Sequence, residues 1–153
     1  MPQRVDGGQR GGPQRVPARD HGLAVVSTLR PDATISSSVV NAGVLPHPTT
    51  GERAVGFVSR GDARRLDYLR ATRRVTVLLR AGWQWAAAEG PVQLCGPDDP
   101  LPGVDAEGLR LLLRAVFTAA GGTHDDWETY DRVMARERRT AVLMTPDRVY
   151  SSS

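Results

Sequence analysis

Leu23-Ala24-Val25-Val26-Ser27-Thr28-Leu29, closed by Arg30-Pro31-Asp32-Ala33 and resumed at Ile35-Ser36-Ser37-Ser38-Val39-Val40-Asn41, decides how the chain begins to fold. The first run is short and rich in β-branched residues, which predicts a strand, and the Pro and Asp that follow suit a tight reversal. Ile35 to Val44 resumes as a second strand. Leu45 to Glu52 holds two prolines and a glycine and reads as a loop, and Arg53 to Ser59 reads as a third strand. Short turns between three strands predict an antiparallel meander, because parallel pairing would need a long crossover connection.

The same reading carries downstream. Gly61-Asp62 punctuates the chain, with Asp62 as the expected N-cap of a short helix whose apolar stripe is Leu66 and Leu69. Val75 to Leu79 returns to strand, Ala81-Gly82 turns, and Gln84 to Leu94 is the next strand. After a loop over Pro97 to Gly103, Asp105 caps a helix with Leu109, Leu112, Leu113, Val116 and Ala120 on one face, stopped by Gly121-Gly122. Thr123 and Asp126 have capping-box spacing for another helix, with Trp127, Tyr130 and Met134 on one side. Ala141 to Met144 opens a last strand running toward Tyr150. The order β-β-β-α-β-β-α-α-β fits a mainly β, α+β chain: a closed or nearly closed antiparallel barrel with helices outside.

Composition narrows the function classes. The 153 residues are 40% hydrophobic and 24% charged, as expected for one globular domain. No apolar run is long enough to span a bilayer and no charged start leads into an apolar signal core, so a cytoplasmic protein with no membrane partner is expected. Cys95 is the single cysteine and fits a reducing compartment. The net charge of +3 rests entirely on arginine, since the sequence contains no lysine. Arginine's planar donor fork grips phosphate and carboxylate at two points, which favours an anionic ligand without implying nucleic acid. Residues 1–20 are Arg, Gly, Gln and Pro with almost nothing apolar and read as a disordered tail, leaving 21–153 as the folded domain. The tail lacks the aromatic interleaving of an RNA-binding arm. Metal-ligand spacings, nucleophile elbows and phosphate-binding glycine loops are absent from the sequence.

Four segments, in this order and spacing, resemble the pyridoxamine 5′-phosphate oxidase-like split barrels, most closely the actinobacterial flavin/deazaflavin oxidoreductases that use coenzyme F420. They are Val26 to Asp32 running into Ile35 to Asn41; Ser59-Arg60-Gly61-Asp62-Ala63-Arg64-Arg65-Leu66-Asp67-Tyr68-Leu69-Arg70; Gly82-Trp83-Gln84-Trp85 with Glu89 to Leu94; and His124-Asp125-Asp126-Trp127 through Tyr130 to Arg138-Arg139. The resemblance implies a split antiparallel β-barrel that forms a homodimer and holds a flavin-type cofactor between subunits. It implies F420, with FMN as the alternative, and hydride transfer to an unsaturated or quinone-like small molecule. A pyridoxamine-phosphate-oxidase-like FMN enzyme and a non-catalytic flavin- or haem-binding module are the other readings of the same barrel. Three positions depart from the family pattern. Ala33 stands where glycine is usual, Arg65 where the phosphate-binding lysine is usual, and Tyr68 where an asparagine is usual.

The candidate site follows from these segments. Arg60, Arg64 and Arg65 lie where a strand meets a helix N-terminus, a place suited to phosphate, although a solvated first turn would read alike. The resemblance sets Ser36, Ser38 and Val39 against the cofactor. Strand alternation puts Ser36 and Ser38 on one face and Asn41 on the other. Trp83 and Trp85 share a strand face and suit either a wall for a flat ligand in the partner subunit or a dimer interface. No catalytic side chain stands out, and in a cofactor enzyme none is required.

Overall fold

The computed structural model describes residues 22–152, so the tail expected over 1–20 lies outside the described residues. Strands β1 (Leu23–Leu29), β2 (Ile35–Pro46) and β3 (Arg53–Ser59) lead to helix α1 (Arg64–Thr72). Strands β4 (Arg74–Ala81) and β5 (Gln84–Cys95) come next, then helices α2 (Ala106–Ala119) and α3 (Trp127–Arg136), and finally strands β6 (Thr140–Met144) and β7 (Arg148–Ser151). The strand order is β4-β1-β2-β3-β6-β5-β7, every pairing is antiparallel, and pairing of β4 with β5 closes the first six strands into a barrel. The expected split antiparallel barrel with flanking helices is the fold observed.

Strand alternation fills the barrel. Ala24 and Val26 of β1, Val40 and Ala42 of β2, Phe57 of β3, Val75 and Val77 of β4 and Met144 of β6 point inward and are buried together with Leu66 and Leu69 of α1. A second core lies outside the wall, where Leu112, Leu113 and Val116 of α2 and Tyr130 of α3 pack on Leu45, Ala141 and Leu143. Gly43 lets this layer approach, because a side chain there would run into the backbone of Ala119.

Four local expectations are corrected. Asp62 does not cap α1: the N-cap position is Ala63, no side chain caps it, and Asp62 instead pairs with Arg60 at 3.3 Å. Helix α3 begins later than the capping-box spacing predicts, with Asp126 itself as N-cap accepting from Thr129 N–H at 3.1 Å. The last strand is two strands, because the chain turns at Thr145 to Asp147 and β7 pairs with β5. Trp83 sits in the β4–β5 turn rather than in a strand, so it shares no strand face with Trp85. Asp105 caps α2 as expected, accepting from Gly108 N–H at 2.7 Å.

The turn at Ala33 keeps the left-handed backbone that glycine would favour, with φ of 69°. Asp32 holds it there by accepting from Thr34 N–H at 3.1 Å, and Arg30 N–H donates to the Thr34 carbonyl at 2.8 Å.

Candidate functional site

A cleft of about 630 Å³ opens where β3 hands over to α1, floored by β2 and β3 and walled by α2 and α3. Val39, Asn41, Val58, Arg60, Arg65 and Arg139 line it together with Phe117, Tyr130 and Met134. The uncapped start of α1 lines the same cleft through Ala63. The positive end of the helix, with no side-chain cap, therefore lies at a space flanked by arginines, which favours an anion.

Arg65 is the centre of this arrangement. Its Nη2 donates to Ser38 Oγ at 2.6 Å and its Nη1 to Ser59 Oγ at 3.2 Å, with the guanidinium 5.8 Å above the Phe57 ring. Its buried Nε has no acceptor, and no carboxylate pairs with it among the described residues. Burial pushes its pKa below the ordinary arginine value, with no carboxylate to offset the shift. An unbalanced, half-buried cation with a spare donor fits a negatively charged group. Arg60 is more exposed and already meets Asp62 at 3.3 Å and Glu137 at 3.6 Å. Arg139 is held by Glu137 at 3.0 Å. The loop carrying Arg60 is pinned to the end of α3, since Gly61 N–H donates to the Glu137 carbonyl at 3.1 Å. A Cβ at Gly61 would stand 2.6 Å from the Arg138 carbonyl oxygen.

The cleft gathers four of the sequence-expected residues, Val39, Asn41, Arg60 and Arg65. Ser38 acts from behind, on the barrel side, as a ligand of Arg65. Ser36 shares that inward face, opposite Thr28, and does not line the cleft. Arg64 is exposed and also lies off the cleft. Trp83 is 59% exposed and does not line the cleft of its own chain. The sequence reading missed Ser59, Tyr130 and Arg139 as site residues. All three stood inside quoted segments; Ser59 reaches Arg65 across the turn from β3 to α1, whereas Tyr130 and Arg139 join the cleft through the packing of α3 on the barrel.

The Tyr130 hydroxyl donates to the Leu113 carbonyl at 3.0 Å, and burial pushes its pKa to about 12. Among the described residues, no group of three or more His, Cys, Asp or Glu side chains is arranged to hold a metal ion. No helix among them is long and apolar enough to cross a membrane.

No protein-family model matches this sequence. Solved structures do match, at low identity. A pyridoxamine 5′-phosphate oxidase-related, FMN binding protein from Nostoc punctiforme superposes with a TM-score of 0.61 at 10% identity, covering 86% of this chain and 75% of that one. The chain has the split-barrel fold of the pyridoxamine 5′-phosphate oxidase-like proteins. A structure described as an F420 reductase matches this split barrel with a TM-score of 0.55 at 13% identity, over 84% of this chain and 88% of that one. A protein of unknown function from Agrobacterium tumefaciens matches at 0.58 and 16% identity over 88% of this chain, which spans only 54% of that larger chain.

Proposed function

We propose that this split barrel is a flavin-type oxidoreductase that binds coenzyme F420 and reduces an unsaturated or quinone-like small molecule. The observation that carries the reading is Arg65, a half-buried guanidinium with a buried donor to spare and no carboxylate opposite it. Arg65, Arg60 and the amides at the start of α1 would hold a phosphate or other anionic part of the cofactor. Val39, Val58, Val116 and Phe117 supply apolar surface that excludes water from the rest of the cleft. Hydride transfer is the chemistry such a cofactor supplies when bound. The protein's share is binding and orientation, in keeping with a Tyr130 whose proton is tied to a carbonyl.

The cleft is open on one side, and this supports a homodimer. Val39 is 63% exposed, and the cross-strand row Val39–Val25–Leu78–Ala87–Tyr150 continues from it across the outer face of the sheet. Trp85 adds to this surface, meeting Tyr150 edge-on at 6.0 Å. A second copy covering this face would close the cleft, with Trp83 available from the partner as a wall. Sedimentation at micromolar concentration is expected to give about twice the 16.6 kDa chain mass, and a clean monomer would remove the shared site.

The cofactor is tested by incubating purified protein with F420 or with FMN, removing free ligand and recording the absorbance. Retention of F420 in preference to FMN is expected. Preferential retention of FMN would move the chain to the FMN-dependent enzymes, and retention of neither would leave the cleft without a flavin role.

A further inference from the structure

A second cavity, of about 480 Å³, lies beneath the Pro97–Val104 loop, between α2, α3 and the end of β5. It is partly open to solvent, and its volume is that of a small-molecule site. Leu101, Val104, Leu109, Leu113 and Met134 wall it, and Cys95 forms part of its floor. Four charged residues also line it, and each is already engaged. Asp105 caps α2. Asp131 accepts from Arg110 at 3.0 Å and from Arg114 Nε at 2.9 Å. Arg110 also holds Glu107, and Arg139 donates to Glu137 at 3.0 Å. Burial raises the pKa of the Cys95 thiol and keeps it neutral at physiological pH.

The loop over the cavity is anchored. Arg70 grips Asp99 at 3.0 and 2.7 Å, Gly96 and Asp99 exchange backbone hydrogen bonds, and Arg138 pairs with Asp98. The space is thus a built feature beneath a fastened loop. Met134 and Arg139 belong to its wall and to that of the anion cleft, so the two spaces are neighbours across a single flexible side chain and one guanidinium.

From the apolar walls and the absence of any uncommitted charge among them, we infer that this cavity binds a neutral, apolar small molecule, at a site separate from the anion cleft. An anionic ligand would have to break one of the ion pairs, and a cationic one would meet carboxylates already held by arginine.

N-phenyl-1-naphthylamine, a neutral apolar fluorophore, tests this by titration into the full chain. Saturable binding at one site per chain with a micromolar Kd is expected. Ala135→Trp places a bulky ring at the cavity from an exposed helix position, and Val104→Phe fills it from the loop side. Each is expected to weaken binding by about tenfold or more without lowering Tm. Ile35→Ser, on the exposed sheet face, is expected to leave the titration unchanged. Absence of saturable binding to the wild type, unchanged affinity in folded Ala135→Trp or Val104→Phe, or loss of the signal in Ile35→Ser would each overturn the assignment.

Discussion

Two groups of arginines in this chain differ in what lies opposite them. Between α2 and α3, Arg110 and Arg114 converge on Asp131, with Glu107 beside Arg110. At the mouth of the barrel, Arg65 has two serine hydroxyls and a phenyl ring. The side chain is the same in both places, so the difference lies in the partner. The helix-bridging pair uses its charge within the chain, joining two elements that flank the barrel. Arg65 keeps its charge unbalanced while burial opposes it, an arrangement that costs stability and that proteins retain at functional sites. A basic composition therefore says little by itself. What sets Arg65 apart is that no carboxylate among the described residues answers it.

Asp131→Asn should give the largest stability effect, a fall in Tm of a few degrees, because it removes the shared carboxylate of two arginines. It should leave cofactor affinity unchanged; a matching loss of affinity would mean that the helix pair and the cleft are not separable. Acid should act at the same place. Arg114, and then Arg110, hold the Asp131 carboxyl below the usual carboxylate range. Its contribution is therefore present above the unfolded value, near pH 4, and is lost as pH falls through the lower folded value. Wild-type Tm should decline below about pH 4, more steeply than that of Asp131→Asn.

Arg65→Met should move stability the other way. It keeps the bulk over Phe57 and removes the desolvated charge, so the unliganded protein should gain about 1 kcal/mol in denaturant unfolding. A large loss would show that Arg65 is chiefly structural. The smallest effect belongs to a site remote from both groups. Ala33→Gly should gain about 0.5–1 kcal/mol by relieving a left-handed alanine, less the entropy that glycine loses on folding.

Much of the barrel was legible because its signals are local. The β-branched runs at Val25-Val26 and Val39-Val40, the breaks at Pro31 and Gly82, and the cap at Asp105 each act within a few residues. The errors arose where a competing partner, near or far in sequence, decided the outcome. Asp62 has the chemistry of a cap, but Arg60 engages it and Ala63 takes the capping position. Met144 and Arg148 read as one strand because nothing nearby announces that β5 receives both. The site was legible in part for the same reason. Arg60 and Arg65 stand close in sequence, whereas Ser38, Tyr130 and Arg139 reach them only through barrel closure and helix packing. Strand parity separates Asn41 from the Ser36 and Ser38 face that the resemblance favours, yet it is Asn41, with Val39, that lines the cleft.

The central claim is that Arg65 keeps an unbalanced charge for an anionic, flavin-type cofactor. It is tested most directly by fluorescence titration of F420 and FMN into the wild type, Arg65→Met, and Arg73→Ala at the far end of α1. A lost hydrogen-bonded charge contact of about 1.5–3 kcal/mol should weaken binding to Arg65→Met by roughly ten- to a hundredfold, with Arg73→Ala matching the wild type. Equal affinity in wild type and Arg65→Met would contradict the claim.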